Sequence, residues 1–165
     1  MKFFSRHRAG AQTTHGVSLL EIISLVAILA LLAAVAFPIV DRMRENSLNQ
    51  SFLNDLRRIS DAVSRYAITY EESPPAQEPG QAPEGLAPFL ERFDWGAPTP
   101  FGGQWEWVRN QHGVRTAIAV LDPEVSEDHL RRFDRSEDNG DLHSGEFRFI
   151  SDNRYAYVID DGPVR

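Results

Sequence analysis

Gly16–Val40 reads GVSLLEIISLVAILALLAAVAFPIV, and this stretch decides the fold. Within it, Ile22 to Val40 is a run of nineteen residues without a charge. At about 1.5 Å of rise per residue, a helix of that length matches the hydrocarbon thickness of a bilayer. The segment before it, MKFFSRHRAGAQTTHG, holds Lys2, Arg6 and Arg8 and no acid. A basic flank ahead of an apolar span predicts that the amino terminus stays in the cytoplasm while the rest crosses. A cleaved secretory signal has a shorter apolar core followed by a small-residue cleavage site. Here Phe37-Pro38-Ile39 and then Asp41-Arg42 follow instead. One residue is out of place. Glu21 stands at the mouth of the span among Leu19, Leu20, Ile22 and Ile23. A carboxylate there costs a few kcal/mol unless it is neutralised, paired or snorkelled into interfacial water.

The basic leader, Gly16-Val17-Ser18-Leu19-Leu20-Glu21 and the apolar run together resemble the processing site of type IV pilins and pseudopilins. That site is a Gly, four mostly apolar residues, a Glu and an apolar helix. Pro38 falls where the family commonly carries a helix-kinking proline; Val17 departs from the more usual Phe or Met. The resemblance covers about residues 1–70. It implies a prepilin peptidase that cuts between Gly16 and Val17 on the cytoplasmic side and N-methylates the new amine of Val17. Glycine suits such a site because it lets a protease approach the backbone closely. The Val17 ammonium of one subunit would then face Glu21 of its neighbour, each offsetting the other's desolvation. That pairing would set axial register, as a single buried polar group does in a coiled coil. The other implied partners are further pilin or pseudopilin subunits, and an inner-membrane assembly platform with a cytoplasmic ATPase. The implied location is the bacterial inner membrane, crossed once, with the head in the periplasm.

Pro38 lacks a backbone donor and clashes with the preceding turn, so a kink is expected near it. Beyond it Leu48, Phe52, Leu56, Ile59, Val63, Tyr66 and Tyr70 recur at spacings of three and four, one stripe of an amphipathic helix. The expectation is an α+β protein. A leader, residues 1–16, precedes one long kinked helix over 17–70 whose part 20–40 spans the membrane. A periplasmic head follows over 71–165. Continuity with the span argues against a soluble coiled coil for 45–70. Four prolines in ESPPAQEPGQAPEG, residues 72–85, exclude helix and central strand and predict an ordered, irregular surface loop. Gly85–Phe93 could form a short helix. Strand patterns then occupy Gln104–Arg109, Val114–Leu121, Glu146–Ile150 and Arg154–Ile159, with turns at Asn110–Gly113 and Asp152-Asn153. A second helix is expected from Asp122-Pro123-Glu124 to about Phe133. An antiparallel sheet covered by the distal half of the long helix is the economical pilin-like arrangement.

Composition narrows the chemistry. The 165 residues carry 17 Lys+Arg against 24 Asp+Glu, a charge of −7. Without the leader the balance is 14 against 24, or −10, with no lysine at all. An acidic head does not favour nucleic acid as a partner. The absence of cysteine excludes disulfides, thiolate metal sites and a Cys nucleophile. Asp134, Ser136, Glu137, Asp138, Asn139 and Asp141 crowd oxygen ligands around Gly140, a composition that suits Ca²⁺. Asp134, Asp138 and Asp141 are the candidate ligands, although the spacing is not that of an EF-hand and a solvated acidic turn is the preferred reading. His7 and His15 lie in the leader, and His112, His129 and His143 lack metal-ligand spacing. Trp105 and Trp107 share a strand face and read as core aromatics. No nucleophile elbow, phosphate-cradling loop or paired-carboxylate signature occurs, so an enzyme is not expected.

These readings converge on a pilin-like structural subunit, foremost a type II secretion-type pseudopilin. A type IV pilus subunit for adhesion, motility or DNA uptake shares the same amino-terminal features. An uncleaved, membrane-anchored periplasmic binding or sensory domain would have no processing at Gly16 and an indifferent Glu21.

Overall fold

The computed structural model describes residues 18–91 and 93–162. Helix α1 spans Leu19–Tyr70. Four strands follow: β1 (Gln104–Gln111), β2 (Val114–Leu121), β3 (Phe147–Ser151) and β4 (Arg154–Asp160), with helix α2 (Glu127–Glu137) between β2 and β3. They form one antiparallel sheet in the order β1-β2-β4-β3. The architecture is α+β. The chain divides into two compact units, to Met43 and from Arg44.

The first unit contributes the apolar part of α1. Every large apolar side chain from Leu19 to Val40 that is described stands open, from 45% exposure at Ile22 to 78% at Leu19. The helix continues through Pro38, so the missing donor does not end it. Ser24, the one hydroxyl in the run, donates to the Leu20 carbonyl at 2.8 Å and is satisfied within the helix.

In the second unit the sequence stripe on α1 becomes the core. Phe52, Leu56, Ile59, Val63 and Tyr66 are buried, with Ala62 beside them. Tyr70 stays exposed, and α1 stops there as Glu71 turns left-handed at φ 59°. Phe52 stacks on Phe101 at 4.1 Å and on Trp105 at 5.2 Å, and meets Phe133 and Phe147 edge-on. The sheet therefore turns its aromatic face, Trp105, Trp107, Ile118, Val120 and Phe147, towards α1. Both tryptophans are core residues.

The opposite face is built from small residues. Val108, Ala117, Ala119, Ala156 and Val158 form a second buried cluster. Glu106 pairs across β2's Ala119 towards Ala156, and Arg154 reaches it with its Nε 2.7 Å from Glu106 Oε2. Both side chains are largely enclosed. Their stems cover the alanines, which leave room for the bridge to cross the middle strand.

The connections show where local chemistry overrode pattern. β1 runs on to Gln111, which pairs with Val114, so only His112-Gly113 turn, both with positive φ. Asp152-Asn153 turns the other hairpin with φ 43° and 57°, the hand that matches strand twist. The second helix does not begin at Asp122. That residue is left-handed at φ 52°, and Ser126 caps the helix instead, its hydroxyl accepting from the His129 amide at 3.3 Å. The helix also runs past Phe133 to Glu137. Of the expected helix over 85–93 only a 3₁₀ turn, Ala87–Phe89, forms. The Pro-rich loop is irregular but anchored: Trp107 Nε1 donates to the Pro74 carbonyl and the Gly80 amide to the Trp105 carbonyl. At Gly103, φ 71°, a Cβ would overlap the carbonyl oxygens of Leu121 and Asp122, so no other residue fits where this turn meets β2.

Candidate functional site

The amino-terminal half of α1 is the candidate functional element. α1 has an 18-residue window of mean hydropathy 2.8, none of it buried by the rest of the chain. It is the one helix among the described residues that is long and apolar enough to cross a membrane. Glu21 sits in its first turn, where the exposed amides favour a carboxylate. No other residue between Leu19 and Val40 is charged. A rod of this kind can lie in lipid or against other apolar helices, and water is its worst surrounding. Gly16 and Val17 lie outside the described residues.

The α1–α2 contact holds a network that sequence patterns did not single out. Glu45 Oε1 accepts from Arg132 Nε at 2.7 Å and lies 3.7 Å from His129 Nδ1. His129 Nε2 is 2.9 Å from Asn49 Oδ1, and its ring meets Phe101 edge-on. The Arg132 bond holds the Glu45 carboxyl below its ordinary value, against some desolvation. Burial holds the His129 imidazole below its own, with the Glu45 charge opposing. Glu45 and Asn49 are one turn apart beside the apolar stripe, the only local hint that both face α2.

The acidic loop after α2 has its carboxylates committed separately. Asp138 Oδ2 accepts from the amides of Glu146 and Phe147 and thereby starts β3. Asp141 takes the His143 amide at 3.1 Å and the Ser144 hydroxyl at 2.9 Å, and the first of these lowers its carboxyl most. Asp134 is fully enclosed and neither of its oxygens has a hydrogen-bond partner. Burial first, and the Asp138 charge second, raise its carboxyl. Among the described residues no three carboxylates or histidines are arranged to hold a metal ion.

Asp134 yields a pH prediction. With its folded value raised, the group favours folding fully below its ordinary value of 3.8, and that contribution is lost as pH rises through the raised one. Thermal unfolding of the full chain in detergent, from about pH 4 to pH 8, should show Asp134→Asn gaining on the wild type as pH rises, by a few degrees in Tm. A difference that stays constant with pH would mean that Asp134 does not ionise within the folded head.

Among the described residues, the other two histidines, His112 and His143, serve turns. His112 Nδ1 lies 2.6 Å from Ser151 Oγ and ties one hairpin turn to the other, and the His143 amide closes the Asp141 turn. No family model, curated protein or solved structure matches this chain.

Proposed function

We propose that this chain is a pilin-like structural subunit, foremost a type II secretion-type pseudopilin. In this reading it is cleaved after Gly16, N-methylated at Val17 and assembled into a periplasmic filament that drives protein export. The observation that carries the reading is the division of labour along α1. Its first half is apolar on every side, uncovered by the chain, and bears one carboxylate at its start. Its second half is the central core element of the head. Such a helix has lipid as its first partner and copies of itself as its second. Lateral exchange from bilayer to filament keeps the apolar surface out of water throughout.

The mechanism is mechanical. Subunits enter at the base from the inner membrane, guided by the pairing of Glu21 with the Val17 ammonium of a neighbour. A separate cytoplasmic ATPase powers each addition, and the filament moves outward. The head supplies a solvated acidic surface, and the chain itself performs no chemistry. The lack of cysteine favours a pseudopilin over a pilus subunit, since many pilins close a carboxyl-terminal disulfide loop.

Intact mass of the protein from membranes of cells with the native assembly system tests this. The expected mass starts at Val17 with one added methyl group. A chain that begins at Met1, where the peptidase processes another substrate, would leave an anchored periplasmic binding domain as the reading.

A further inference from the structure

Between α1, the end of α2 and β3 lies an open cavity of about 220 Å³. Its floor is apolar: Leu53, Leu56, Phe133 and Phe147. Its mouth carries Glu137, Asp138 and Glu146 against a single cation, Arg57. Asp138 is held by two backbone amides and Glu146 by the Tyr157 hydroxyl at 2.8 Å, while Glu137 is exposed and, among the described residues, its carboxylate accepts a hydrogen bond only from the neighbouring Ser136. A guest that matches these walls has an aliphatic stem and a cationic tip.

The chain beyond Val17 contains no lysine, so a second copy could offer only arginine. Several arginines are already engaged: Arg115, Arg131, Arg132, Arg148 and Arg154 each hold a carboxylate of their own chain. Arg42, Arg44 and Arg135 are exposed, and among the described residues none of the three makes a hydrogen bond or ion pair; Arg135 shares α2 with Glu137 itself, and of the other two Arg44 is the one that belongs to the second unit. We infer that the cavity receives Arg44 of a second copy, its guanidinium on Glu137 and its stem on the apolar floor.

This inference rests on the filament reading and adds a geometry to it. Arg44 precedes the cavity's α1 residues by about twelve positions, so the two copies stand offset along the helix axis by about 20 Å. Donor and acceptor patches differ, which makes the contact heterologous. A heterologous contact that also carries an axial offset does not close into a ring and suits an open filament. The arginine lies just past the apolar span, and its contact forms as a copy is drawn out of the membrane past its neighbour's head.

The absence of native cysteine makes the test direct. Arg44→Cys and Glu137→Cys are introduced together in the full chain, in cells with the native assembly system, and oxidised mildly. The expected result is a ladder of covalently joined copies that neither single variant gives. In parallel, Arg44→Glu should lower sheared polymer about fivefold, and adding Glu137→Arg should restore it. A processed, polymerising double-cysteine chain that stays monomeric overturns the contact and leaves the filament reading intact. Assembly of Arg44→Glu at the wild-type level, or a cross-link to another protein in place of the ladder, also overturns it. A chain that is never processed at Gly16 overturns both.

Discussion

Glu21→Val is expected to leave the chain in the membrane at wild-type levels and to reduce its assembled form by two orders of magnitude or more. Insertion depends on the apolar run after Glu21, and replacing a carboxylate at its mouth by valine makes that run longer and cheaper to bury. On the proposed filament reading, assembly depends on what faces the Val17 ammonium once it leaves the interface. Removing one partner of a desolvated ion pair leaves the other charge uncompensated, at a cost of about 3–5 kcal/mol. Each contact loses roughly 150-fold to 5,000-fold in affinity on that basis. The cost recurs at every subunit, so a polymer feels it more than a dimer would. Membrane fractionation reads the first half of the expectation and sheared, pelleted polymer the second, with intact mass to show whether the variant is cut after Gly16 as the wild type is expected to be. Wild-type polymer from Glu21→Val would remove the ion pair from the mechanism. Loss of the protein from the membrane would show instead that Glu21 acts in insertion.

Periodicity exposed the large features of the fold. A run of nineteen uncharged residues and a stripe at spacings of three and four cannot be satisfied by anything but helix. The four strands stood out because their β-branched and aromatic runs are bounded by turn residues. What pattern missed depends on single backbone angles or on distant partners. Asp122 has the composition of a helix start, yet its left-handed φ sends the chain the other way and leaves the cap to Ser126. Glu45 and Arg132 are 87 residues apart, and nothing local marks either as the other's partner. Asp134 stood among oxygen-bearing neighbours that read alike. Only packing separates it, enclosed and unpartnered, from Asp138 and Asp141, which hold turns. The candidate assembly residues were legible for a different reason. A charge in an apolar run contradicts its surroundings, and the contradiction is visible without a structure.

Phe52→Ala should cost the head about 3–5 kcal/mol, the range for removing a large buried aromatic. Phe52 is 1% exposed and touches rings from four places: Phe101 in the turn before β1, Trp105 on β1, Phe133 on α2 and Phe147 on β3. None of these rings can follow a methyl group inward without leaving its own element, so the cavity would persist. For a domain of this size the loss equals a fall in Tm of roughly 15–25 °C. It is also a large share of the 5–15 kcal/mol that holds a typical domain together. Thermal unfolding of the full chain in detergent measures it, with Ile68→Ala as control. Ile68 lies on the same helix but is 81% exposed, and its truncation should change stability by less than about 0.5 kcal/mol. Equal effects at the two positions would mean that α1 is not the core of the head. A large loss at Phe52 alone would show that the helix whose first half is long and apolar enough to cross a membrane is also the one the head folds on. Force applied to the amino-terminal half would then reach the head through the helix that carries part of its core.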